Sequence, residues 1–118
     1  MKTYELFTGD ELKIAEKIQQ RRYQLLVHSC IYYHLDQNII SDQKWNGWAN
    51  ELTSLQKQYP DISRKVVLYD YFKDWDGSTG TFLPITLDWV VGIANRLLQL
   101  QNESQQEEKK NIVKKRLF

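Results

Sequence analysis

Residue types that supply catalysis or bind metals are few in this chain of 118 residues, and their spacing is unsuitable for either role. His28 and His34 fall on different faces of a helix, so they do not form a metal-ligand pair. Cys30 and His34 can share a face, but two ligands without a third do not make a metal site. Ser29 has His28 beside it without a further group to orient that base. The sequence therefore predicts no metal site and no catalytic residue, and we expect a protein that is not an enzyme.

A short polar loop between Asp74 and Gly80 is the second feature with functional chemistry. It is rich in Asp, Ser, Thr and Gly, which favour turns over helix or strand, and Pro84 extends it. A tight turn explains these residue types, whereas a binding loop is the alternative, because exposed loops often carry function. The candidate interaction residues of the loop are Asp74, Trp75, Asp76, Ser78 and Thr79.

Helical patterns account for the first half of the chain. A first helix is predicted from about residue 9 to about residue 35, opened by a capping box of Thr8 and Glu11. A second helix is predicted from about Asp42 to Tyr59, with Ser41 as its N-cap. Because a short connection joins the two helices, they are expected to pack as an antiparallel hairpin.

Two further helices complete the predicted fold. A third is expected from Asp61 to Phe72, in preference to a strand over residues 66–72, which would have no partner strand. A fourth is expected to begin with Thr86 as its cap. The prediction is thus an all-α fold, a small helical domain of about four helices with a loop around residues 74–85. We expect one domain over residues 1–102, with the hairpin at about residues 10–60, and a charged, solvated C-terminal segment over residues 103–118.

Composition narrows the class of protein further. The apolar fraction of 42% is enough for a core, and the net charge of +1 gives no overall field for nucleic acid or a membrane. One Cys cannot form an internal disulfide, and no run approaches the ~18 apolar residues of a membrane span, so a cytoplasmic protein is expected. A basic C-terminus leaves nucleic-acid binding as an alternative to a solvated end. Its residues are Lys109, Lys110, Lys114, Lys115 and Arg116.

The stretch from Leu25 to Ile62 carries a distinctive set of residues. It has a tyrosine-rich first helix, a Ser-Asp pair that opens the second helix, an aromatic residue in its first turn, a Glu-Leu pair and an aromatic residue before proline. These are Tyr32-Tyr33, Ser41-Asp42, Trp45, Glu51-Leu52 and Tyr59-Pro60. This set resembles the small N-terminal domain of NAD-dependent DNA ligases. The whole chain is similar to stand-alone ligase-related proteins of bacteriophages and prophages.

This resemblance implies a ligand site, because the ligase domain helps grip the nicotinamide mononucleotide (NMN) half of NAD. The implied contacts are Tyr32, Tyr33, Asp42, Trp45 and Asn46. Aromatic faces attract a cationic ring, and a carboxylate binds ribose hydroxyls. The family carries Tyr and Asp where this chain has Trp45 and Asn46. Without the resemblance, Tyr32, Trp45 and Trp48 at helical spacing are more typical of core or interface positions than of a ligand surface.

Two functions follow from these observations. The first is a non-catalytic, phage-type interaction protein that uses a ligase-related fold to bind or inhibit a host protein or nucleoprotein complex. The Trp45-Asn46 pair, the small size, and four Trp and seven Tyr favour it, since Trp and Tyr are common interface anchors. It expects no cofactor. The alternative is a nicotinamide-nucleotide (NMN or NAD) binding module related to DNA ligase, with weak binding because the chain would hold half a site.

Overall fold

The computed structural model describes the backbone of residues 6–117 and the side chains of residues 6–107. Over that range the chain is helical, with no strand, which confirms the all-α prediction. No helix in this range is both long and apolar enough to cross a membrane. The helices are α1 (Gly9–Ser29), a π-helical segment (Cys30–His34) that continues it, α2 (Asp42–Gln58), α3 (Pro60–Lys65), α4 (Tyr69–Phe72) and α5 (Asp88–Leu117).

Helices α1 and α2 form the predicted antiparallel hairpin. Contacts at its two ends show the direction: Trp45 near the start of α2 meets Ser29 at the end of α1, whereas Gln56 near the end of α2 meets Arg22. The side chains that fill the core come from both helices and from the later segments. They include Ala15, Ile18, Leu25, Leu26, Ala49, Leu52, Phe72, Val90 and Ala94. The hydrophobic side chains of the predicted helices therefore face one common core.

The N-terminal caps of the two hairpin helices differ. Ser41 caps α2 as predicted, because its Oγ accepts a hydrogen bond of 3.1 Å from the backbone N–H of Lys44. Thr8 precedes α1, but its side chain accepts no capping bond among the described residues, so the predicted capping box is wrong. Gly9 has a φ of +58°, and this left-handed turn takes the chain out of the geometry that the box requires.

The predicted single helix from Asp61 to Phe72 is also wrong. Two short helices, α3 and α4, replace it, because Val66 is extended and Leu68 takes a left-handed φ of +70°. The carbonyls of Val66 and Val67 each accept a hydrogen bond of 3.0 Å from the guanidinium of Arg22. Those two bonds give the freed carbonyls partners outside a helix, which stabilises the break.

Helix α5 begins at Asp88, after Leu87, so Thr86 does not occupy the position directly before the helix. Its backbone continues without a break through the predicted charged segment to Leu117, and the described side chains of residues 103–107 are exposed. The basic side chains proposed for nucleic acid lie outside the described side chains. The domain boundary at residue 102 stays a prediction.

Candidate functional site

A cavity of about 280 Å³ opens at the end of the hairpin where the π-helical segment, the connection 37–41 and the first turns of α2 meet. Its size is near the lower end of the range of small-molecule sites. All five residues that the ligase resemblance implied line this cavity. They are Tyr32, Tyr33, Asp42, Trp45 and Asn46.

The first wall is formed by Tyr32 and Tyr33 on the π-helical segment. The N–H of Leu35 bonds to the carbonyl of Cys30 at 3.0 Å, five residues back rather than four. This wider turn shifts both tyrosines off the core-facing stripe, so that they are 51% and 43% exposed. Their rings pack edge to face with centroids 4.8 Å apart. Single π-helical turns are frequent at functional sites, and here the turn presents two aromatic side chains to a cavity.

The opposite wall is formed by α2. Asp42, Trp45 and Asn46 share one face because they are three and four residues apart. Trp45 is half-buried and its Nε1–H donates a hydrogen bond of 3.4 Å to Ser29 Oγ. Asp42 and Asn46 are exposed. Trp45 is therefore both a packing residue and a cavity residue, and the carboxylate of Asp42 stands at the mouth beside it.

His28 lines the cavity as well, although the sequence did not predict it as a ligand residue. Burial lowers the pKa of its imidazole below the usual 6.5, and the positive charge of Lys44 lowers the pKa further, so the ring is neutral at pH 7. Its Nδ1 is buried and has no hydrogen-bond partner among the described side chains. The ring packs against Trp48 with centroids 5.4 Å apart. His28 precedes Tyr32 by four residues, a spacing that places the two side chains on the same face of a helix and could have predicted this position.

The polar loop and the implied ligand site are one neighbourhood. Ser78 lines the cavity, and the hydroxyl of Thr79 lies 3.0 Å from that of Tyr33. Trp75 packs edge-on against Trp45, with centroids 6.0 Å apart. The sequence predicted the loop as a separate candidate surface, but the fold brings Trp75, Ser78 and Thr79 to the cavity and its aromatic residues.

Not every candidate loop residue reaches the cavity. Asp74 is exposed and lies, with Asp76, at a shallower cleft beside Phe82. Asp76 accepts hydrogen bonds from the N–H and the hydroxyl of Ser78 at 2.9 and 2.6 Å. These two bonds hold the pKa of the Asp76 carboxyl below its usual value, so the carboxylate is ionised.

The cavity combines aromatic faces, one carboxylate and a neutral imidazole. Tyrosine and tryptophan rings attract a cation over their faces, and Asp42 adds a negative charge and accepts hydrogen bonds from hydroxyls. Because His28 is neutral, it does not repel a positively charged ligand. This arrangement suits a flat, cationic ring that carries hydroxyl groups.

The fold and the cavity define a small all-helical domain with an aromatic pocket at one end of a helical hairpin. Residues 11–65 match the family model of the DNA ligase-like, N-terminal NAD+-binding domain. A DNA ligase of Carboxydothermus hydrogenoformans is 38% identical over 53 residues, which cover 45% of this chain and 8% of that ligase. No solved structure matches.

These findings confirm the resemblance of the hairpin to the N-terminal domain of DNA ligases. The matched segment contains nearly all of α1, the whole of α2 and α3 and the five implied ligand residues, whereas the polar loop and α5 lie beyond it. The chain spans a small fraction of the length of that ligase. The comparisons agree with the nicotinamide-nucleotide alternative better than with the phage-type inhibitor, to which they give no support.

The buried imidazole of His28 predicts a loss of stability in mild acid. The unfolded chain takes up the proton at about pH 6.5, above the lowered pKa in the folded state. The contribution of His28 to stability is therefore complete above that pH and is lost as the pH falls through the folded-state pKa. Urea unfolding midpoints between pH 7.5 and pH 5 should fall for the wild type and fall less for His28→Gln. His34→Gln is the matched control, since His34 is exposed; a profile unchanged by His28→Gln would contradict the prediction.

Proposed function

We propose that this chain is a nicotinamide-nucleotide binding module, not itself catalytic, whose pocket holds the cationic nicotinamide ring and its ribose. The single observation that carries the proposal is the convergence of the five implied ligand residues on one cavity. The family model that matches residues 11–65 is named for NAD+ binding, which supports the same ligand class. NMN and NAD share the nicotinamide riboside group that the cavity residues suit.

The roles of the cavity residues follow from their chemistry. The indole of Trp45 provides a flat face for the ring, held in place by Ser29 and Trp75. Asp42 accepts hydrogen bonds from the ribose hydroxyls and attracts the positive ring. Tyr32 and Tyr33 close the other side of the ring. Binding is expected to be weak, because association costs must be offset by few contacts.

An interaction with a host protein or nucleoprotein complex is the second candidate function, and one observation favours it. Phe82 is 88% exposed and lines a shallow cleft together with Tyr71, which is 44% exposed. Exposed aromatic residues are frequent anchors of protein interfaces. The cleft shares Ser78 with the cavity but includes no residue of α2, so Phe82→Ser changes the cleft alone and Asp42→Ala changes the cavity alone.

Titration with NMN tests the nucleotide function. Stacking on Trp45 should quench part of the tryptophan emission, and calorimetry should show heat in the millimolar range. Asp42→Ala should weaken binding by about 1.5–3 kcal/mol, the range for a hydrogen bond to a charged group, which is about 10- to 150-fold. Gln43→Ala is the matched control, because Gln43 is exposed beside Asp42 and does not line the cavity.

The charge of the ligand gives a second readout. Reduced NMN has a neutral ring of nearly the same shape, so it should bind more weakly than the oxidised cation. The double variant Trp45→Tyr with Asn46→Asp is measured beside the wild type. If neither protein gives heat in calorimetry at millimolar NMN, this function is excluded.

A further inference from the structure

The polar loop is fixed to the cavity residues by several independent contacts. Thr79 is at the centre of them: its hydroxyl lies 3.0 Å from the Tyr33 hydroxyl and 2.9 Å from that of Thr81. Its carbonyl accepts a hydrogen bond of 2.7 Å from Trp75 Nε1–H. The indole of Trp75 in turn packs against Trp45 and, with centroids 5.3 Å apart, against the buried ring of Phe72. Each contact ties the loop to a residue of the cavity or of the core.

Gly80 shows how closely the loop approaches α1. Gly80 is buried, and a Cβ placed on it would overlap the side chain of Ser29, 2.6 Å from the Ser29 Cβ. That Cβ would also lie 3.4 Å from the ring of Tyr33. Rotation of the Ser29 hydroxyl cannot relieve a contact with its Cβ, so any other residue at position 80 must push the loop away. Glycine at position 80 therefore allows the loop to pack directly against α1.

We propose that residues 76–81 form a preorganised wall of the pocket, in which Ser78 contacts the bound nucleotide while Thr79 and Gly80 are positioning residues. This inference rests on the proposed nucleotide function and deepens it. The wall lies outside residues 11–65, the segment that matches the ligase family model. It supplies, from within this chain, a side of the pocket additional to the two walls of the hairpin.

The hydrogen bonds of Ser78 determine what it recognises. Its hydroxyl donates its proton to Asp76 Oδ1 at 2.6 Å, and the ionised carboxylate keeps the proton on that side. The lone pairs of Ser78 Oγ remain available as acceptors. Ser78 therefore recognises a hydrogen-bond donor of the ligand, and the nicotinamide nucleotides carry such donors on the ribose hydroxyls and the carboxamide.

The experiment measures NMN affinity and melting temperature in parallel for the full chain. Ser78→Ala should weaken NMN binding about 2- to 10-fold, the range for a neutral hydrogen bond, without changing the melting temperature. Ser54→Ala is the control, because Ser54 is exposed on α2 away from the cavity. Thr79→Val should weaken binding, whereas Thr79→Ser keeps the hydroxyl that meets Tyr33 and should bind as the wild type does.

Gly80→Ala tests the docking of the loop without any ligand. It should change the near-ultraviolet circular dichroism of the indoles, because Trp75 moves with the loop. Gly92→Ala is the control, since a Cβ there meets open space among the described residues. Wild-type affinity retained by both Ser78→Ala and Thr79→Val would overturn the inference while leaving the proposed function intact. A wild-type protein that does not bind NMN would overturn both.

Discussion

Replacing Arg22 with Met is expected to lower the free energy of unfolding by about 3 kcal/mol or more, although Met preserves most of the apolar stem. The guanidinium is fully buried and donates to Val66 O, Val67 O, Ser63 Oγ and Gln56 Oε1 at 2.7–3.0 Å. Each buried acceptor left without its donor costs about 1–3 kcal/mol. The net loss is smaller than their sum, because the substitution also removes the cost of burying a cation.

The neighbouring arginine provides the control. Arg21 pairs with Glu51 at 3.1 Å, and the Glu51 side chain is 38% exposed. The Arg21 side chain is 14% exposed, but water can replace it as the partner of the partly exposed Glu51, so Arg21→Met should lower stability less than Arg22→Met does. Urea unfolding of both variants makes the comparison. Equal stability of the two variants would show that the guanidinium of Arg22 does not hold residues 63–67 in place.

The groups that accept hydrogen bonds from Arg22 carry no charge, and this bears on the pKa of its guanidinium. Among residues 6–107 its hydrogen-bond acceptors are carbonyl, amide and hydroxyl oxygens, and burial lowers the pKa of the guanidinium from its ordinary value to about 10. The group is still charged at pH 7. Arg22 donates hydrogen bonds to the backbone carbonyls where the chain leaves α3. In a continuous helix, those carbonyls would instead have accepted hydrogen bonds from backbone N–H groups of the helix.

Arg22 is linked to the candidate site through the core. Gln56 accepts from Arg22 and donates, through Nε2–H, a hydrogen bond of 3.2 Å to the carbonyl of Phe72 at the end of α4. The ring of Phe72 supports Trp75, and Trp75 meets Trp45 at the pocket. A loss of the Arg22 contacts is therefore expected to loosen α4 first and the loop wall with it.

The sequence predicted most of the hairpin and the location of the site. The helical periodicity and the Ser41 cap place α1 and α2, because both signals are local and α2 uses its cap as expected. The family resemblance supplied five residues whose positions periodicity alone left open between core and ligand surface. Their convergence on one cavity agrees with the resemblance, and their binding role stays a prediction.

The structural features that the sequence did not predict depend on contacts between residues far apart in the chain. Nothing in the local sequence distinguishes the fully buried Arg22 from Arg21, whose side chain is 14% exposed. The break at residues 66–68 exists because Arg22 bonds to carbonyls 44 and 45 positions away. The hydrogen bond from the Leu35 N–H to the Cys30 carbonyl, five residues back, defines the π-helical segment. No residue type in that segment predicts it. The docking of the loop depends on Gly80 fitting against Ser29, which sequence spacing does not reveal.

Trp45→Ala is expected to have the largest effect on ligand binding. It removes the face on which the ring stacks, worth about 1–3 kcal/mol for a base on an aromatic side chain, together with a cation–π attraction of about 0.5–1 kcal/mol. The sum corresponds to a loss of about 10- to 1,000-fold in affinity for NMN. Since Trp45 also bonds to Ser29 and packs on Trp75, its loss should disturb the loop wall as well. Calorimetry with NMN, beside thermal unfolding, measures the two effects separately.

Trp48→Ala separates a ligand platform from a packing residue. Trp48 is on the same helix and is half-buried like Trp45, but it packs against His28 and beneath the cations of Arg21 and Lys44 instead of lining the cavity. Trp48→Ala should therefore lower the melting temperature and leave the affinity for NMN within a few-fold of the wild-type value. Equal losses of affinity in both variants would mean that Trp45 acts through packing alone. Trp45→Tyr with Asn46→Asp, which introduces the pair of the ligase family, should instead strengthen binding, because the aspartate adds a charged acceptor while the tyrosine retains an aromatic face.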